Sequence, residues 1–584
     1  MTGDGDLGPR VGVTLGCAGM AVVAVFLRRT ESDLPPPARS LLLVVAVVAA
    51  VVAVGGVAVL GYPWVSTRGR VRREYGHRGF ATWVQLHRAG LTARAVLSDA
   101  AVVRPSLAEY TRRELRAVGP GTVASLLGAS AVGPSRALEL WSSHRDVILG
   151  VAPPQTGKTA WLAGRVIDHP GPVVSTSTKV DVWKHTAADR ALGGRPVLVF
   201  NPENLGKIAS TFGWDPLTGC TDSAVAEERA GHLVDGAHPG EGITNGDFFE
   251  DQSAKVLKVF LMAAALEGLD FHAVARWVTH PRGRTARDIL AKHPDRVPPG
   301  WADELDSLQD SPADRASASV FLTLSLATAF MSNPVVAAAC RPHPRQGTFD
   351  VEAFLAAHGT LYIIGEARKH SPIAPLITAL TGHIFEQSKR LAVEYPGERL
   401  DPALLMALDE VALITPVPLD EWNADAGGRG IHLIEMAQSL SQLFKRWGER
   451  GGQTIINTAN AMLYYGGIGV DTDLESISRV CGERPQQTVT VNSGRGDGSG
   501  AGRSYATRDV RVITLDRVRR LPKWHMLVVY RNAPPTIVAF TPVWARQDTV
   551  AAAARPALRR RERRRARLRG GVSRWWPRWD PEPR

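Results

Sequence analysis

The sequence of 584 residues is poor in cysteine. Its four cysteines, Cys17, Cys220, Cys340 and Cys481, are far apart, so there is no Cys-x-x-Cys pair and no spacing typical of metal ligands. This pattern argues against a disulfide-stapled secreted scaffold and favours a reducing compartment for most of the chain. Hydrophobic residues make up 44% and charged residues 22%, which is ordinary for a folded protein, and the length allows two or three domains.

The sequence also lacks an evenly basic character, although its net charge is +12. Residues 555–584 contain twelve Arg and only three acidic residues, and a second basic cluster, residues 68–78, follows a hydrophobic stretch. The rest of the chain is close to neutral. The charge therefore indicates two local patches and not a surface that coats DNA throughout.

The C-terminal basic patch is too charged to form a core, so we expect residues 546–584 to be a disordered tail. The stretch Arg559–Arg569 holds eight Arg and one Glu, and Trp575, Trp576 and Trp579 follow it. Arg with interleaved Trp suits single-stranded DNA, where Arg neutralises phosphates and Trp stacks on bases. It suits an anionic membrane surface equally well. Both interpretations stay open at this point.

Two uncharged stretches near the N-terminus predict membrane spans. Leu41–Leu60 has twenty residues, enough at 1.5 Å per residue to cross a hydrocarbon core of about 30 Å. The alternative for this stretch is a buried core helix. Val11–Leu27 is shorter, and its alternative is a signal-peptide core. The preceding tail disfavours that alternative, because it contains Asp4, Asp6 and only one basic residue.

The basic cluster after Leu60 should stay inside, which predicts a hairpin membrane anchor. The short connector, residues 28–40, would face outside, and everything after Gly61 would lie in the cytoplasm. Three Arg in the connector weaken this asymmetry.

A candidate phosphate-binding loop follows a short apolar run, Val147–Leu149. The loop reads GVAPPQTGKT from Gly150 and leads into a helical pattern. In such a loop, backbone N–H groups point at the phosphates, the Lys reaches the β- and γ-phosphates, and the hydroxyl binds Mg²⁺. These roles fall to Lys158 and Thr159. The first glycine of the G-x-x-x-x-G-K-[ST] pattern is replaced by Ala152, so the loop alone is moderate evidence. The predicted nucleotide-binding residues are Gly150, Pro154, Gln155, Thr156, Gly157, Lys158, Thr159 and Ala160.

A second motif, LLMALDE at residues 404–410, reads as a buried strand that ends in two carboxylates. In ATPases with such a loop, the first acid holds Mg²⁺ through water and the second polarises the attacking water. We assign these roles to Asp409 and Glu410. The alternative is a strand that ends in a helix-capping Asp. The two motifs together predict an ATPase that uses ATP and Mg²⁺.

Further apolar runs predict a largely parallel α/β sheet of the RecA-like class, covered on both faces. A polar residue after the strand that follows the acids often senses the γ-phosphate, and Gln438, with Gln442 behind it, is our candidate. The alternative is an ordinary surface residue. The predicted strands are Val173–Ser175, Pro196–Phe200, Leu361–Ile364, Ile431–Met436 and Thr454–Asn457.

The region from about 221 to 331 differs, because it has helical periodicity and hardly any strand pattern. The stretch FFEDQSAKVLKVFLMAAALEG from Phe248 is typical of it. We therefore predict an all-α domain inserted into the ATPase domain. The predicted organisation is an anchor at 1–60, a juxtamembrane segment at 61–137, the two parts of the ATPase domain at 138–220 and 332–545, the insertion at 221–331 and the tail at 546–584.

Several separated blocks resemble the type IV secretion coupling proteins, the TraG/TraD-like membrane ATPases of bacterial conjugation. The resemblance extends over roughly residues 61–543, and one of its blocks is VVSTSTKVDVWKHTAADR, with a Ser-Thr-Lys-x-Asp signature. The others are FNPENLG, WDPL, FFEDQSAKVL, LDEVALITPVPLDEW and MAQSLSQLFKRWG. The two-span anchor has the same layout as in that family. At the departure from the family's loop pattern, Ala152, we expect Gly150 to supply flexibility for the turn.

The resemblance implies a homo-hexameric ring that uses ATP to feed single-stranded DNA with its relaxase, or protein substrates, into a secretion channel. The all-α domain would select the substrate. The resemblance also implies an arginine finger from a neighbouring subunit, for which Arg446, Arg450 and Arg479 are equal candidates.

Two other function classes stay open. A double-strand DNA translocase of the chromosome-partitioning kind would usually have more spans and a winged-helix module, whereas only the Arg-rich tail follows Val543. A non-hydrolysing membrane receptor with the same fold is suggested by Ala152. The intact acids and the intact Lys158 and Thr159 argue against that receptor.

Overall fold

The computed structural model describes residues 71, 74–75, 79–132, 137–237, 246–309, 314–342, 349–366, 372–492, 502–546 and 548–549. The predicted spans at 11–27 and 41–60, and nearly all of the Arg-rich tail, lie outside these ranges. Within them, no helix has both the length and the apolar character needed to cross a bilayer.

Eleven of the described strands form one sheet, in the order β2-β1-β13-β12-β9-β3-β8-β7-β4-β6-β5. The remaining two, β10 and β11, form a separate antiparallel ribbon. The strands are β1 Ala124–Ser130, β2 Glu139–Ser143, β3 Ile148–Val151, β4 Val173–Ser177, β5 Val197–Phe200, β6 Thr360–Ile364, β7 Leu404–Leu408, β8 Ile431–Ala437, β9 Ala461–Tyr465, β10 Glu483–Asn492, β11 Gly502–Arg511, β12 His525–Tyr530 and β13 Thr536–Ala539.

The strands from β9 to β5 in this order are parallel to one another. Several of them, including β3, β4, β6, β7 and β8, are buried along their whole length. Continuous apolar runs are expected in such strands because both faces of the sheet are covered. The strands predicted at 173–175, 196–200, 361–364 and 431–436 are confirmed as β4, β5, β6 and β8, with ends within two residues.

The other edge of the sheet is antiparallel and was not predicted. Strand β12 pairs with β9 and β13, and β1 pairs with β13 and β2. This antiparallel extension combines β1 and β2, which precede β3 in the chain, with β12 and β13, which follow β9. This extension lies on the β9 side of β3, the strand that leads into the candidate phosphate loop.

Helices cover both faces of the sheet and fill the chain between β5 and β6. Between those two strands, the described residues contain helices and no strand. The α-helices are α1 Trp83–Arg88, α2 Ala93–Ser98, α3 Ala100–Val103, α4 Arg112–Val118, α5 Lys158–Asp168, α6 Asp181–Arg190, α7 Ser223–Ala237, α8 Gly246–Leu266, α9 Phe271–Thr279, α10 Thr285–Lys292, α11 Trp301–Gln309, α12 Asp314–Thr328, α13 Pro334–Ala339, α14 Val351–Ala356, α15 Ala374–Ala392, α16 Val411–Ile414, α17 Leu419–Asp425, α18 Leu440–Thr458, α19 Asp471–Val480 and α20 Leu515–Arg519.

The side chains of β3 show how the core is divided. Leu149 and Val151 join the larger apolar cluster, which includes Leu233 of α7 and Leu376 of α15. Ile148 faces the other way and belongs to a second cluster with Trp161 of α5 and other residues. This alternation is the period of two expected of a strand whose two faces are both buried.

One predicted strand is wrong. Thr454–Asn457 lies in the C-terminal part of α18, in which Ile455 is buried. The hydroxyl of Thr454 donates to the carbonyl of Arg450, one helical turn earlier. A short apolar run does not by itself distinguish a strand from a helix, because both bury such residues. The next parallel strand is β9, which begins a few residues later.

Candidate nucleotide-binding site

The candidate phosphate loop connects the central strand β3 to α5. The backbone adopts a left-handed conformation at Gln155, with φ of 66°, and at Gly157, with φ of 110°. Helix α5 begins immediately afterwards at Lys158. Within the loop, the Thr156 hydroxyl donates to the carbonyl of Pro153 at 2.7 Å. The loop thus ends at a helix N-terminus, where free N–H groups favour an anion.

The position that departs from the glycine pattern, Ala152, is still part of the sheet. Its N–H donates to the carbonyl of Ala437 at 3.0 Å, which continues the pairing of β3 with β8, and its side chain is buried. Gly150 lies within β3 and not in the turn, so the turn role expected for Gly150 is not found. A Cβ atom there would lie 2.3 Å from Met436 Sδ, so this glycine allows close packing between the strands.

Lys158 is buried and contacts both predicted acids. Its Nζ lies 3.0 Å from Asp409 Oδ1 and 3.3 Å from Glu410 Oε1. The acids come from the end of β7, which is separated from β3 by β8 alone. The carboxyl ends of parallel strands meet at one edge of the sheet, and for this reason the three groups converge.

The two acids have different environments. Asp409 is almost fully buried; burial raises its pKa above the ordinary value, and the charge of Lys158 offsets part of that rise. Glu410 is more open, with 16% of its side chain exposed, and it adopts a left-handed conformation with φ of 51° at the start of α16. Non-glycine residues with positive φ are uncommon and often occur at functional sites.

The remaining predicted loop residues differ in their exposure to solvent. Pro154 and Gln155 are exposed, Thr159 is partly exposed in the first turn of α5, and Ala160 is buried. A hydroxyl, a buried carboxylate and a second carboxylate are hard oxygen donors, which is the ligand set that Mg²⁺ prefers. The chemistry of Thr159 and Asp409 therefore fits the predicted Mg²⁺, with Glu410 beside them.

Gln438 directly follows β8, the strand that lies between β3 and β7. Its N–H donates to the side-chain oxygen of Gln442 at 3.0 Å, so the two predicted glutamines are adjacent. Gln438 is partly buried at the same edge of the sheet as the ion cluster.

Three residues were candidates for an arginine finger that reaches a neighbouring subunit. Of these, Arg450 and Arg479 are exposed and Arg446 is partly buried.

One feature of the site gave no recognised pattern in the sequence. The aromatic rings of Trp524 and Phe540 lie on Gly157, so that a Cβ there would be 2.9 Å from Trp524 Cζ3 and 3.2 Å from Phe540 Cζ. Trp524 precedes β12 and Phe540 follows β13. Because the antiparallel strands were not predicted, their approach to the loop was not predicted either.

Comparison with known proteins places part of the chain in a family. Residues 403–523 match the family model described as the TraM recognition site of TraD and TraG. This segment is therefore similar to the TraG/TraD family. The matched TraG/TraD segment contains Asp409, Glu410 and Gln438, whereas the phosphate loop precedes it. The resemblance inferred from the sequence is therefore confirmed. No curated protein matches the chain by sequence.

Solved structures of the bacterial conjugative coupling protein TrwB have a similar fold. The unbound monoclinic form of TrwBdeltaN70 has a TM-score of 0.50 and 18% identity, covering 68% of this chain and 85% of that chain. The trigonal form in complex with sulphate has the same TM-score and identity, with 68% and 88% covered. A third structure, plasmid coupling protein TrwB with ADP and Mg²⁺, has a TM-score of 0.47 and 17% identity, with 68% and 85% covered. The predicted α/β fold with a large parallel sheet is confirmed.

Proposed function

We propose that the protein is a membrane-anchored ATPase that couples ATP hydrolysis to the delivery of DNA, or of protein substrates, into a conjugative type IV secretion channel. The observation that carries this proposal is the contact of Lys158 with Asp409 and Glu410. Such a cluster joins a phosphate-binding cation to the two acids that a nucleoside triphosphatase requires, at the N-terminus of a buried helix.

In the proposed reaction, Lys158 moves from the acids to the β- and γ-phosphates of ATP and neutralises their charge. Thr159 and Asp409 would hold Mg²⁺, which supplies further charge neutralisation when bound. Glu410, released by Lys158, orients and polarises the water that attacks the γ-phosphate. Gln438, at the end of β8, contacts the γ-phosphate. When that phosphate leaves, the lost contact changes the position of Gln438 and of α18, which carries Gln442.

The substrate and assembly belong to the proposal as well. We infer single-stranded DNA with its relaxase as the cargo, channel proteins as partners and a homo-hexamer as the working form. The match of residues 403–523 to the TraG/TraD model supports this inference. An arginine finger must project from the surface of one subunit to reach the nucleotide site of its neighbour. This requirement favours the exposed Arg450 and Arg479 over Arg446. The anchor would be formed by residues 11–27 and 41–60, with the sheet in the cytoplasm.

The test is ATP hydrolysis by the purified protein, with and without single-stranded DNA. We expect Lys158→Ala to abolish turnover because the phosphate charge is no longer neutralised. We expect Glu410→Gln to bind ATP but hydrolyse it at least about 100-fold more slowly, because the water is no longer activated. Lys255→Ala, at an exposed lysine of α8, is the matched control and should hydrolyse ATP at the wild-type rate.

The outcomes distinguish the three function classes. Stimulation by single-stranded DNA supports the coupling ATPase. Stimulation by double-stranded DNA alone would indicate the chromosome-partitioning translocase. ATP binding without hydrolysis by the wild-type protein would indicate the receptor, and a wild-type rate for Glu410→Gln would refute the role of that acid.

A further inference from the structure

Three aromatic residues form a group beside the phosphate loop, which we call the aromatic cluster: Trp524, Phe540 and Trp544. The ring centroid of Trp524 lies 5.9 Å from that of Phe540 and 5.6 Å from that of Trp544, both in edge-to-face orientation. Trp544 also lies 5.5 Å from the ring of His185 on α6. Trp524 and Phe540 are in contact with Gly157, as described above.

The aromatic cluster borders the buried core, against which Phe540 packs, and all three rings reach the surface. Trp544 is 46% exposed, and Trp524 and Phe540 are partly exposed. Lys523 Nζ also lies 4.7 Å from the centroid of the Trp524 ring, so the indole carries a neighbouring positive charge. Large aromatic rings at the surface beside a polar loop present flat faces that a planar ligand can stack on.

The backbone holds Trp524 in a defined position. Its φ is 66°, an uncommon value for a bulky residue. The Trp524 carbonyl accepts a hydrogen bond from Phe540 N–H at 3.0 Å, and His525 N–H donates to Pro522 at 3.1 Å. The indole therefore contacts the phosphate loop from a backbone position that is fixed by hydrogen bonds at the start of β12.

The order of the sheet indicates which end of a nucleotide the aromatic cluster would meet. Strands β8 and β7, with the two acids, lie on one side of β3, whereas β9, β12 and β13 lie on the other. The γ-phosphate must approach the acids, so the nucleoside extends from the opposite side of the loop. On that side, Thr156 faces Gly467 after β9, and Trp524 lies on Gly157.

We propose that Trp524, backed by Phe540 and Trp544, is the stacking surface for the purine base of the bound nucleoside triphosphate. This inference rests on the nucleotide site proposed above. Stacking uses the π-face of the base and reads no hydrogen-bonding edge, so adenine and guanine should be accepted alike.

The test separates binding of the base from binding of the phosphates. The affinities of the wild-type protein, Trp524→Ala and Trp524→Phe are measured by calorimetry for ATP, GTP and inorganic tripolyphosphate. We expect Trp524→Ala to weaken ATP and GTP about tenfold or more, which is the scale of losing one stacked base, and to leave tripolyphosphate unchanged. Trp524→Phe should retain most of the affinity.

Trp83→Ala, which removes an exposed tryptophan on α1, is the matched control and should leave all three affinities unchanged. Equal weakening of ATP and tripolyphosphate in Trp524→Ala would overturn the inference, because the indole would then support only the loop. Unchanged ATP affinity in Trp524→Ala would overturn it while the proposed function stands. A wild-type protein that binds neither ATP nor tripolyphosphate would overturn both. If Trp524→Ala does not fold, tryptophan fluorescence of the wild type and of Trp524→Phe is compared on addition of ATP. Quenching in the wild type that is lost in Trp524→Phe supports the inference, and equal quenching in both would overturn it.

Discussion

Glu435 is a carboxyl group in the middle of the sheet, on strand β8, and it is fully excluded from solvent. In the amide orientation that satisfies both of its ends, Asn423 donates to Glu435 Oε1 at 2.6 Å. The other oxygen, Oε2, has no hydrogen-bond partner among the described residues. Burial raises the pKa of Glu435 to about 8, and the Asn423 hydrogen bond offsets part of this rise. Glu435 is therefore mainly protonated at neutral pH.

This raised pKa predicts that the free energy of unfolding falls as the pH rises from about 4.5 to about 8. Between the unfolded pKa near 4.5 and the folded pKa near 8, the folded state holds a proton that the unfolded state has released. The contribution is complete below pH 4.5 and is lost as the pH rises through 8. Glu435→Gln keeps the shape without titrating, so we expect it to remove a slope of up to about 1.4 kcal/mol per pH unit in the free energy of unfolding.

Urea unfolding of both proteins at pH 5, 7 and 9 measures this difference. Glu109→Gln, at an exposed glutamate, should keep the wild-type dependence on pH. An identical dependence for Glu435→Gln and the wild type would show that Glu435 is not protonated in the folded state.

At the scale of elements, the packing of α7 against α15 depends on glycine. A Cβ on Gly382 of α15 would lie 2.2 Å from the ring of His232 on α7. That ring is buried and lies edge-on to Trp422, with 6.1 Å between centroids, so it has little room to move. Gly231 precedes His232 in α7, and a Cβ added there would meet open space, with no neighbouring side chain within 4 Å.

We therefore expect opposite results from the same substitution in two helices. Gly382→Ala should destabilise the protein by about 1–3 kcal/mol, because the added methyl group overpacks the contact with His232. Gly231→Ala should stabilise it by about 0.5–1 kcal/mol, because alanine favours the helix and meets open space. Urea unfolding at neutral pH measures both changes. Shifts in the same direction would mean that helix propensity, and not the contact between α7 and α15, decides the outcome.

At the scale of the whole molecule, the basic cluster at residues 68–78 after an uncharged span predicts the orientation in the membrane. In a background without the native cysteines, Ser32→Cys in the connector should react in intact cells with a thiol reagent that cannot cross membranes. Arg94→Cys, at an exposed position on α2, should react only after the cells are opened.

Reaction of Arg94→Cys after lysis is the control. It shows that the membrane, and not burial of the introduced thiol, prevents labelling in intact cells. Equal labelling of both positions in intact cells would contradict the hairpin anchor. Protection of both positions would place the connector on the same side as the sheet.

Features that depend on neighbouring residues could be predicted from local sequence patterns. The loop with Lys158 and Thr159 and the strand ending in Asp409 and Glu410 are short patterns, because each chemical role needs a particular residue at a particular spacing. Most parallel strands were also predicted, because strands buried on both faces require continuous apolar runs, which are visible in the sequence. Thr454–Asn457 was assigned wrongly because an apolar run that short also fits a buried helical turn.

Which of these features come into contact depends on the fold of the whole chain. Lys158 and Glu410 are 252 residues apart and come together because β7 lies next but one to β3 in the sheet. Glu435 looks like any glutamate in the sequence, and its raised pKa arises from the helices that cover β8. Trp524 reaches Gly157 because β12 and β13 add antiparallel strands beyond β9. Strand order and burial arise from the whole chain packing together, and no local spacing of residues encodes them.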